Sequence, residues 1–227
     1  MSDIDHGAVY RSVRVRIAAL VCELPEEMLD LVAPATPDWR VRDVVAHLAG
    51  GTADIASGNL ADVASDEWTG AQVDARRDVP IGEVLDEWAR CSAIVEPMIA
   101  KLDPLMRAML LTDAVTHEHD VRGALGVPGE RDSDAIAYAF RGVSGGIGAQ
   151  RGEAGALRIV HDAGERVVGG AGEPTATVHT TRFEIVRASV GRRSYDQIAA
   201  WDWEGDARPE SVVLARFAPP RVTPLNE

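Results

Sequence analysis

The sequence is poor in cysteine and contains no long apolar run. Among 227 residues the thiols are Cys22 and Cys91, which argues against a cysteine-rich zinc site, a CxxC redox motif or a disulfide-stapled fold. Both thiols lie among apolar neighbours, and we expect both to pack in the core. No apolar run approaches the roughly 20 residues that cross a bilayer, and the N-terminus lacks the layout of a signal peptide. We therefore expect a cytosolic protein without a membrane partner.

The chain is also poor in positive charge. Its 23 lysine and arginine residues stand against 36 aspartate and glutamate residues, which gives a formal net charge of −13. Nonspecific nucleic-acid binding depends on surplus basic side chains that neutralise phosphates. Nucleic acid is therefore not an expected partner.

Helical periodicity dominates the first 150 residues or so. Apolar residues recur there at three- and four-residue spacings, as in amphipathic helices, and prolines, glycines and capping residues mark the ends. We expect Trp39 and Trp88 to anchor the core. The polar stretch 62–79 is predicted to be a loop, and the predicted helices cover about residues 7–32, 40–58, 80–102, 104–125 and 132–150.

The pattern changes after Gly155. Short β-branched runs and turn residues predict strands there, and two short helical patterns follow. The order of elements predicts an α+β fold, mainly α, with a helical bundle in residues 1–152 and a small α/β domain in residues 153–227. The predicted elements are a hairpin of 156–161 and 166–169, a strand over 175–180, helices over 181–191 and 194–199, and an extended edge over 200–203.

Two histidines on different helices are the leading candidate metal ligands. At about 100° per residue, His117 lies in the middle of the buried stripe of its helix, and Asp113, one turn earlier, borders that stripe. On the second predicted helix, His47 lies at the border of the inward face. Two imidazoles and a carboxylate suit Zn²⁺, Ni²⁺ or Fe²⁺ and leave coordination positions for water or substrate. The alternative is that both histidines are ordinary inward residues with hydrogen-bonded partners.

Two neighbours of His117 are placed by the same helical geometry. Asp120 falls near Asp113, where it would either approach the metal or bond the second nitrogen of a ligand histidine, and we favour the second role. His119 lies about 180° from the buried stripe, so we expect it on the outer surface.

Three segments resemble the DinB-like mycothiol-dependent maleylpyruvate isomerase family. Residues 37–48, PDWRVRDVVAHL, resemble the family's gW-x-v-x-D-v-v-a-H-L opening of helix two. Residues 113–126 resemble its acid-x₃-His-x₂-Asp-[IVL]-R-x-A-L-G segment, and residues 183–193 resemble its F-E-x-x-R-x-x-x-G-R-R segment. The three occur in the order expected for the family.

The resemblance implies both a fold and a site. The implied fold is a DinB-like four-helix bundle followed by a small, SCP2-like α/β domain. The bundle would bind a divalent metal through His47, Asp113 and His117, the positions to which helical geometry also points. Where the family commonly has glutamate, this chain has the shorter Asp113, which would weaken the site or let a water replace the carboxylate.

The resemblance also implies a reaction. In the family, mycothiol is understood to bind at the metal and add to a cis double bond, which then rotates before elimination. Arg187, Arg192 and Arg193 become candidates for holding the carboxylates of an acidic substrate, with Arg187 and Arg193 as the candidate catalytic residues. The alternative is that these arginines form a basic helix face paired with Glu184 or Asp196.

Three functional hypotheses remain open on the sequence. The leading one is an enzyme that uses mycothiol as co-substrate at a divalent metal, with Zn²⁺ before Ni²⁺ or Fe²⁺, to isomerise a small electrophile or transfer sulfur to it. The second is a hydrolase that uses metal-activated water. The third is a non-catalytic bundle that binds a small molecule or partner. A monomer and a homodimer are both compatible with the sequence.

Overall fold

A computed structural model describes residues 4–152, 154–205 and 209–227. Within these residues the chain is mainly helical and carries one four-stranded sheet, which confirms the predicted α+β, mainly α class. The described residues divide by their contacts into two compact units, one within residues 4–128 and the other within 129–226. Among the same residues, no helix combines the length and apolar character needed to cross a membrane.

The first unit is helical throughout its regular structure. Its long helices α3 and α5 pack against each other, α4 packs on α3, and α1 packs against α6. The elements are α1 (His6–Val21), α2 (Glu26–Leu29), α3 (Val41–Ser57), α4 (Asp66–Asp74), α5 (Ile81–Val95), a 3-10 helix (Glu96–Lys101) and α6 (Pro104–Leu125).

The predicted helix over residues 7–32 is wrong in its length. Helix α1 ends at Val21, and the separate short helix α2 begins after Pro25. Proline has no backbone N–H and disfavours helical geometry in the residue before it. Pro25 therefore prevents α1 from continuing and takes the N-cap position of α2. The prolines at 34 and 37, which were expected to end a single helix, lie beyond both.

The predicted loop over residues 62–79 is also wrong, because it contains helix α4. The hydroxyl of Ser65 accepts a hydrogen bond from the backbone N–H of Trp68, at 3.1 Å, as an N-cap does. Asp66 and Glu67 then place negative charge in the first turn, where the helix dipole favours it. These start signals are local, so a mostly polar helix forms without a strong apolar stripe.

Helix α3 begins and ends near the predicted residues. The backbone N–H of Arg40, the residue at the N-cap, donates to the carboxylate of Asp43, at 2.9 Å. Gly58 closes the helix in the left-handed conformation, with φ of 78°, which glycine adopts without a steric penalty. The same glycine cap, Gly126, ends α6.

A buried polar cluster joins α1, α3 and α5. The hydroxyl of Tyr10 lies 2.6 Å from Thr52 Oγ1, and the indole N–H of Trp88 points at both oxygens, 3.0 Å from each. Thr52 in turn donates to the carbonyl of Leu48 at 2.7 Å. Since Tyr10, Thr52 and Trp88 are at most 1 % exposed, their polar atoms depend on one another for hydrogen bonds.

This cluster predicts that the protein loses stability in alkali. Burial raises the pKa of the Tyr10 hydroxyl to about 12, against the smaller lowering effect of hydrogen bonds with Thr52 and Trp88. Between about pH 10 and 12 an unfolded chain would release this proton while the folded chain keeps it, so folding weakens by roughly 2–3 kcal/mol as pH rises through that window. Urea unfolding at several alkaline pH values measures the effect. A Tyr10→Phe variant should lose this part of the slope, and an unchanged slope would contradict the assignment.

The second unit combines a long helix, a small sheet and two short helices. Helix α7 (Asp134–Arg151) begins at the cap Ser133 and packs on α8 and β2. The other elements are β1 (Leu157–His161), β2 (Gly164–Val168), β3 (Ala176–His179), α8 (Arg182–Ser189), α9 (Tyr195–Ala199), β4 (Asp202–Gly205) and a 3-10 helix (Pro209–Val212).

The strands form one sheet in the order β2-β1-β3-β4. Strands β1 and β2 form the predicted antiparallel hairpin, with Leu157 opposite Val168. Strand β3 runs parallel to β1, and β4 pairs antiparallel with β3 as an edge strand. The predicted strands are thus confirmed in order and kind, with ends shifted by at most two residues.

Two further expectations concern the cysteines and the domain boundary. Cys22 is exposed and Cys91 is half-buried, so the expectation that both pack in the core is wrong: Cys22 follows the last residue of α1, where the helical face no longer decides burial.

The boundary predicted at residues 152 and 153 stays a prediction, and Glu153 lies outside the described residues. Contacts alone place α7 in the second unit.

Candidate metal centre

His47, Asp113 and His117 meet in the first unit. Helix α3 supplies His47, and α6 supplies Asp113 and His117 one turn apart. His47 Nε2 lies 3.3 Å from Asp113 Oδ2, and His117 Nε2 lies 3.4 Å from Asp113 Oδ1. One donor atom from each residue falls within 4.8 Å of the other two. Helical facing, read from the sequence, predicted these three residues, and the structure brings them together.

The remaining ring nitrogens are held by second residues. His117 Nδ1 donates to Asp120 Oδ2 at 3.0 Å, and the Asp120 carboxylate is buried. His47 Nδ1 lies 2.8 Å from Gln72 Oε1. Partners of this kind fix ring orientation and tautomer in metal sites. Asp120 thus occupies the position that its predicted second-sphere role requires, while Gln72, in the missed helix α4, was not anticipated from the sequence.

The charges of the three residues reinforce one another. Partial desolvation alone would raise the pKa of the half-exposed Asp113 carboxyl, but the charges of His47 and His117 and hydrogen bonds from both rings hold it well below its usual range. Burial alone would lower the pKa of His117, but the charge and hydrogen bond of Asp113, and then Asp120, raise it to about 9. Both shifts express one attraction between a carboxylate and its imidazole neighbours.

The donor set fits a divalent transition metal. Ligand atoms about 2.0–2.1 Å from a tetrahedral ion lie roughly 3.3 Å apart. Each imidazole nitrogen lies 3.3 or 3.4 Å from its nearer Asp113 oxygen, and one donor atom from each residue lies within 4.8 Å of the others. Imidazole nitrogen and carboxylate oxygen are ligands that Zn²⁺, Ni²⁺ and Fe²⁺ accept. The His47 and His117 side chains are 8 % and 7 % exposed, whereas Asp113 is 43 % exposed. A small molecule would therefore approach from the side of Asp113.

Trp39 forms an aromatic wall beside the two histidines. Its ring centre lies 5.1 Å from that of His47 and 5.7 Å from that of His117, and the two imidazoles meet edge to face at 5.2 Å. The side chain is half-buried, so the expectation that Trp39 anchors the core is only partly met. Its position just before α3 in the sequence gives no signal of this contact.

His119 does not lie on the outer surface as predicted. It is 3 % exposed. The other residues of α6 from Leu111 to Val121 are buried as well, except Asp113. Helical geometry gives the direction of a side chain relative to the apolar stripe. It does not reveal that the opposite face of the same helix is covered as well.

One string in the second unit matches a hydrolase motif but lacks its context. Residues Gly142 to Gly146 read G-V-S-G-G, the GxSxG pattern of α/β-hydrolases, in which the serine occupies a sharp turn between strand and helix. Here Ser144 lies inside α7, is fully buried and donates to the carbonyl of Arg141. It is therefore not an exposed nucleophile.

The part of the chain that holds most of this centre matches a known protein family. The family model described as mycothiol maleylpyruvate isomerase N-terminal domain matches residues 10–113. The match includes Trp39, His47, Gln72 and Asp113 and ends four residues before His117. No curated protein matches the chain in sequence.

Two solved structures share the fold. They are crystal structures of a mycothiol-dependent maleylpyruvate isomerase and of a histidine-to-alanine mutant of that enzyme, with TM-scores of 0.59 and 0.60. Each is 11 % identical to this chain, and each likeness covers 90 % of this chain and 94 % of the other. The matched residues 10–113, a little under half of the chain, thus resemble the N-terminal domain of the mycothiol maleylpyruvate isomerase family. At 11 % identity, the two solved structures show only that the fold is shared.

The arginines that the family resemblance suggested as catalytic lie in the second unit. Arg193 is 3 % exposed and makes a two-pronged ion pair with Glu184, at 2.6 and 2.7 Å, and its guanidinium also lies 5.5 Å from the ring centre of Phe183. Arg187 is fully buried. The pairing with Glu184 is the one that the alternative interpretation named, and the catalytic role of both arginines stays a prediction.

Proposed function

We propose that this chain is a member of the mycothiol maleylpyruvate isomerase family and a metal-dependent enzyme that uses mycothiol. Its substrate would be a small electrophile, which it isomerises or to which it transfers sulfur. The convergence of His47, Asp113 and His117, on the face where Asp113 is open to solvent, is the observation that carries the proposal. The family match, which includes two of the three residues, supports it independently.

The proposed chemistry follows from the donor set. A divalent cation held by these residues would lower the pKa of a bound thiol and make thiolate available at neutral pH. His47 and His117 would hold the cation from the buried side, because their other ring nitrogens are occupied by Gln72 and Asp120. Asp113 would complete the set on the exposed side. Arg187 and Arg193 are proposed to bind the carboxylates of an acidic substrate.

Dependence on a thiol distinguishes this proposal from metal-activated hydrolysis. With tag-free protein loaded with Zn²⁺, we expect turnover of a cis-configured, carboxylate-bearing enone such as maleylpyruvate only when mycothiol is present, and a loss of at least about 100-fold without it, because the thiolate is the nucleophile. The measurement is the rate with and without mycothiol, and with a thiol that lacks its sugar moiety. Equal rates without any thiol would contradict the proposal and favour metal-activated water.

Metal analysis addresses the non-catalytic alternative. If protein purified without a histidine tag takes up no divalent metal at saturating concentration, the proposal fails and a binding role for the bundle is favoured.

We further propose that the helical unit is a DinB-like four-helix bundle, that the second unit is SCP2-like, and that the protein works in the cytosol on small molecules without nucleic-acid partners. The charge of −13 supports the last point.

A further inference from the structure

Gln72 is held in one orientation by Asp54. Its Nε2 lies 2.8 Å from Asp54 Oδ2, and its Oε1 lies 2.8 Å from His47 Nδ1. A carboxylate only accepts hydrogen bonds, so the end of the amide that faces Asp54 must be the NH₂ group. Asn59 donates to the other oxygen of Asp54 at 2.8 Å, which fixes the carboxylate in turn.

This orientation favours one tautomer of His47. The charged ring donates from both nitrogens, to Gln72 and to Asp113. In the neutral ring we expect the proton on Nδ1, because the amide oxygen of Gln72 lies 2.8 Å from it while Asp113 Oδ2 lies 3.3 Å from Nε2, so Nε2 keeps its lone pair for the metal. His117 reaches the same arrangement through the carboxylate of Asp120. The two rings are thus oriented by different chemistry, a neutral amide for His47 and an anion for His117.

A glycine in α3 makes the approach of Gln72 possible. A Cβ atom added at Gly50 would lie 2.6 Å from Gln72 Cβ and 2.8 Å from Gln72 Cγ, distances at which the α4 backbone would have to move. The next residue, Gly51, has room: an added Cβ would meet the nearest atom, in the Trp68 ring, at 3.5 Å. Gly50 is therefore a contact point between α3 and α4, against the first carbons of the Gln72 side chain.

We propose that Gly50, Gln72 and Asp54 form a positioning device for His47, in which α4 packs on Gly50 so that the Asp54-locked amide of Gln72 fixes the Nδ1–H tautomer and leaves Nε2 for the metal. The proposal rests on the proposed function for its consequence, metal binding. Its structural claim, control of the His47 tautomer, is independent of any metal. Gln72 acts through His47 and is a positioning residue.

The first part of the test compares two variants of the full chain by two measurements. Nitrogen-15 spectra of the His47 ring in metal-free protein, under conditions where the ring is neutral, report the tautomer, and Co²⁺ titration followed by visible absorption reports affinity. In Gln72→Leu we expect a shift toward the Nε2–H tautomer and about 10–100-fold weaker Co²⁺ binding. The double variant Gln72→Glu, Asp54→Asn exchanges the donor and acceptor between the two residues, so it should keep Nδ1–H and restore Co²⁺ binding.

The neighbouring glycines supply a matched pair. Gly50→Ala and Gly51→Ala make the same chemical change one position apart on the same helix, and either would raise helix propensity. We expect Gly50→Ala to lower Co²⁺ affinity by about 10-fold or more, and Gly51→Ala to leave it unchanged. Equal effects of the two would overturn the role of Gly50.

The outcomes separate the two proposals. If Gln72→Leu keeps the wild-type tautomer, control of His47 by Gln72 is overturned whatever the metal does. If the tautomer changes while Co²⁺ affinity stays the same, the link to metal binding is overturned. Should the wild-type chain bind no Co²⁺, the proposed function fails, and the ring spectra still decide whether Gln72 governs His47. Circular dichroism of Gln72→Leu confirms folding; if that variant does not fold, the double variant and the glycine pair decide.

Discussion

We expect His47→Ala and His117→Ala each to abolish stoichiometric metal binding, while both variants remain folded. The expected loss of affinity exceeds about 100-fold, because removing a ligand costs more than the 10–100-fold that removing a ligand's partner costs. Both rings lie within the first unit beside Asp113, so neither can be replaced by a neighbour without rebuilding α3 or α6. Equilibrium dialysis followed by metal analysis measures the effect, with thermal shift as a second readout, since bound metal stabilises the folded state.

The matched control for these variants keeps the carboxylate. Asp113→Glu lengthens the side chain by one methylene and restores the residue that the family commonly carries, so we expect equal or tighter metal binding. Asp113→Asn keeps the size and removes the charge, and should weaken it. If Asp113→Glu binds metal more weakly than the native chain, the carboxylate is not a ligand. Full retention of metal by both alanine variants would remove the basis of the centre.

Much of the centre was accessible from the sequence because helical geometry is local. The facing of His117 and Asp113 follows from their positions on one helix, and so does the border position of His47. That α3 and α6 come together at these residues is a matter of packing between helices, which periodicity does not contain. The family resemblance supplied that step, and the structure places the donor atoms within 4.8 Å of one another.

The parts that sequence reasoning missed share a physical cause. Helix α4 is short and mostly polar, so its apolar periodicity is weak, and only its capping serine and the acidic residues after it signal a helix. Gln72 was missed with it. The burial of His119 was missed because a side chain that points away from one packed face can still be covered on the other. The position of a residue in its helix gives the direction of its side chain. Whether that side chain is buried depends on which other parts of the chain pack against that face of the helix.

The polar cluster of Tyr10, Thr52 and Trp88 predicts the largest effect on stability. Trp88→Ala should lower the free energy of unfolding by about 3–5 kcal/mol, because it leaves a large cavity at a fully buried site. It also removes the indole N–H on which the oxygens of Tyr10 and Thr52 depend. Urea unfolding followed by circular dichroism measures the loss.

Trp88→Phe separates the hydrogen bonds from the packing. It keeps a six-membered ring and removes the N–H together with two ring carbons, so we expect a loss of about 1–3 kcal/mol, from buried acceptors left without a partner and from a smaller cavity than in Trp88→Ala. Trp68→Phe is the matched control: its indole is half-buried, and its N–H reaches the carbonyl of Asn59 only at 3.4 Å, so we expect a change within about 0.5 kcal/mol.

In a double-mutant cycle with Tyr10→Phe, Trp88→Phe should show a coupling of at least about 0.5 kcal/mol, because both residues share Thr52. Additive losses would mean that the three side chains are buried together without acting as one network, and that α1, α3 and α5 are joined by apolar packing alone.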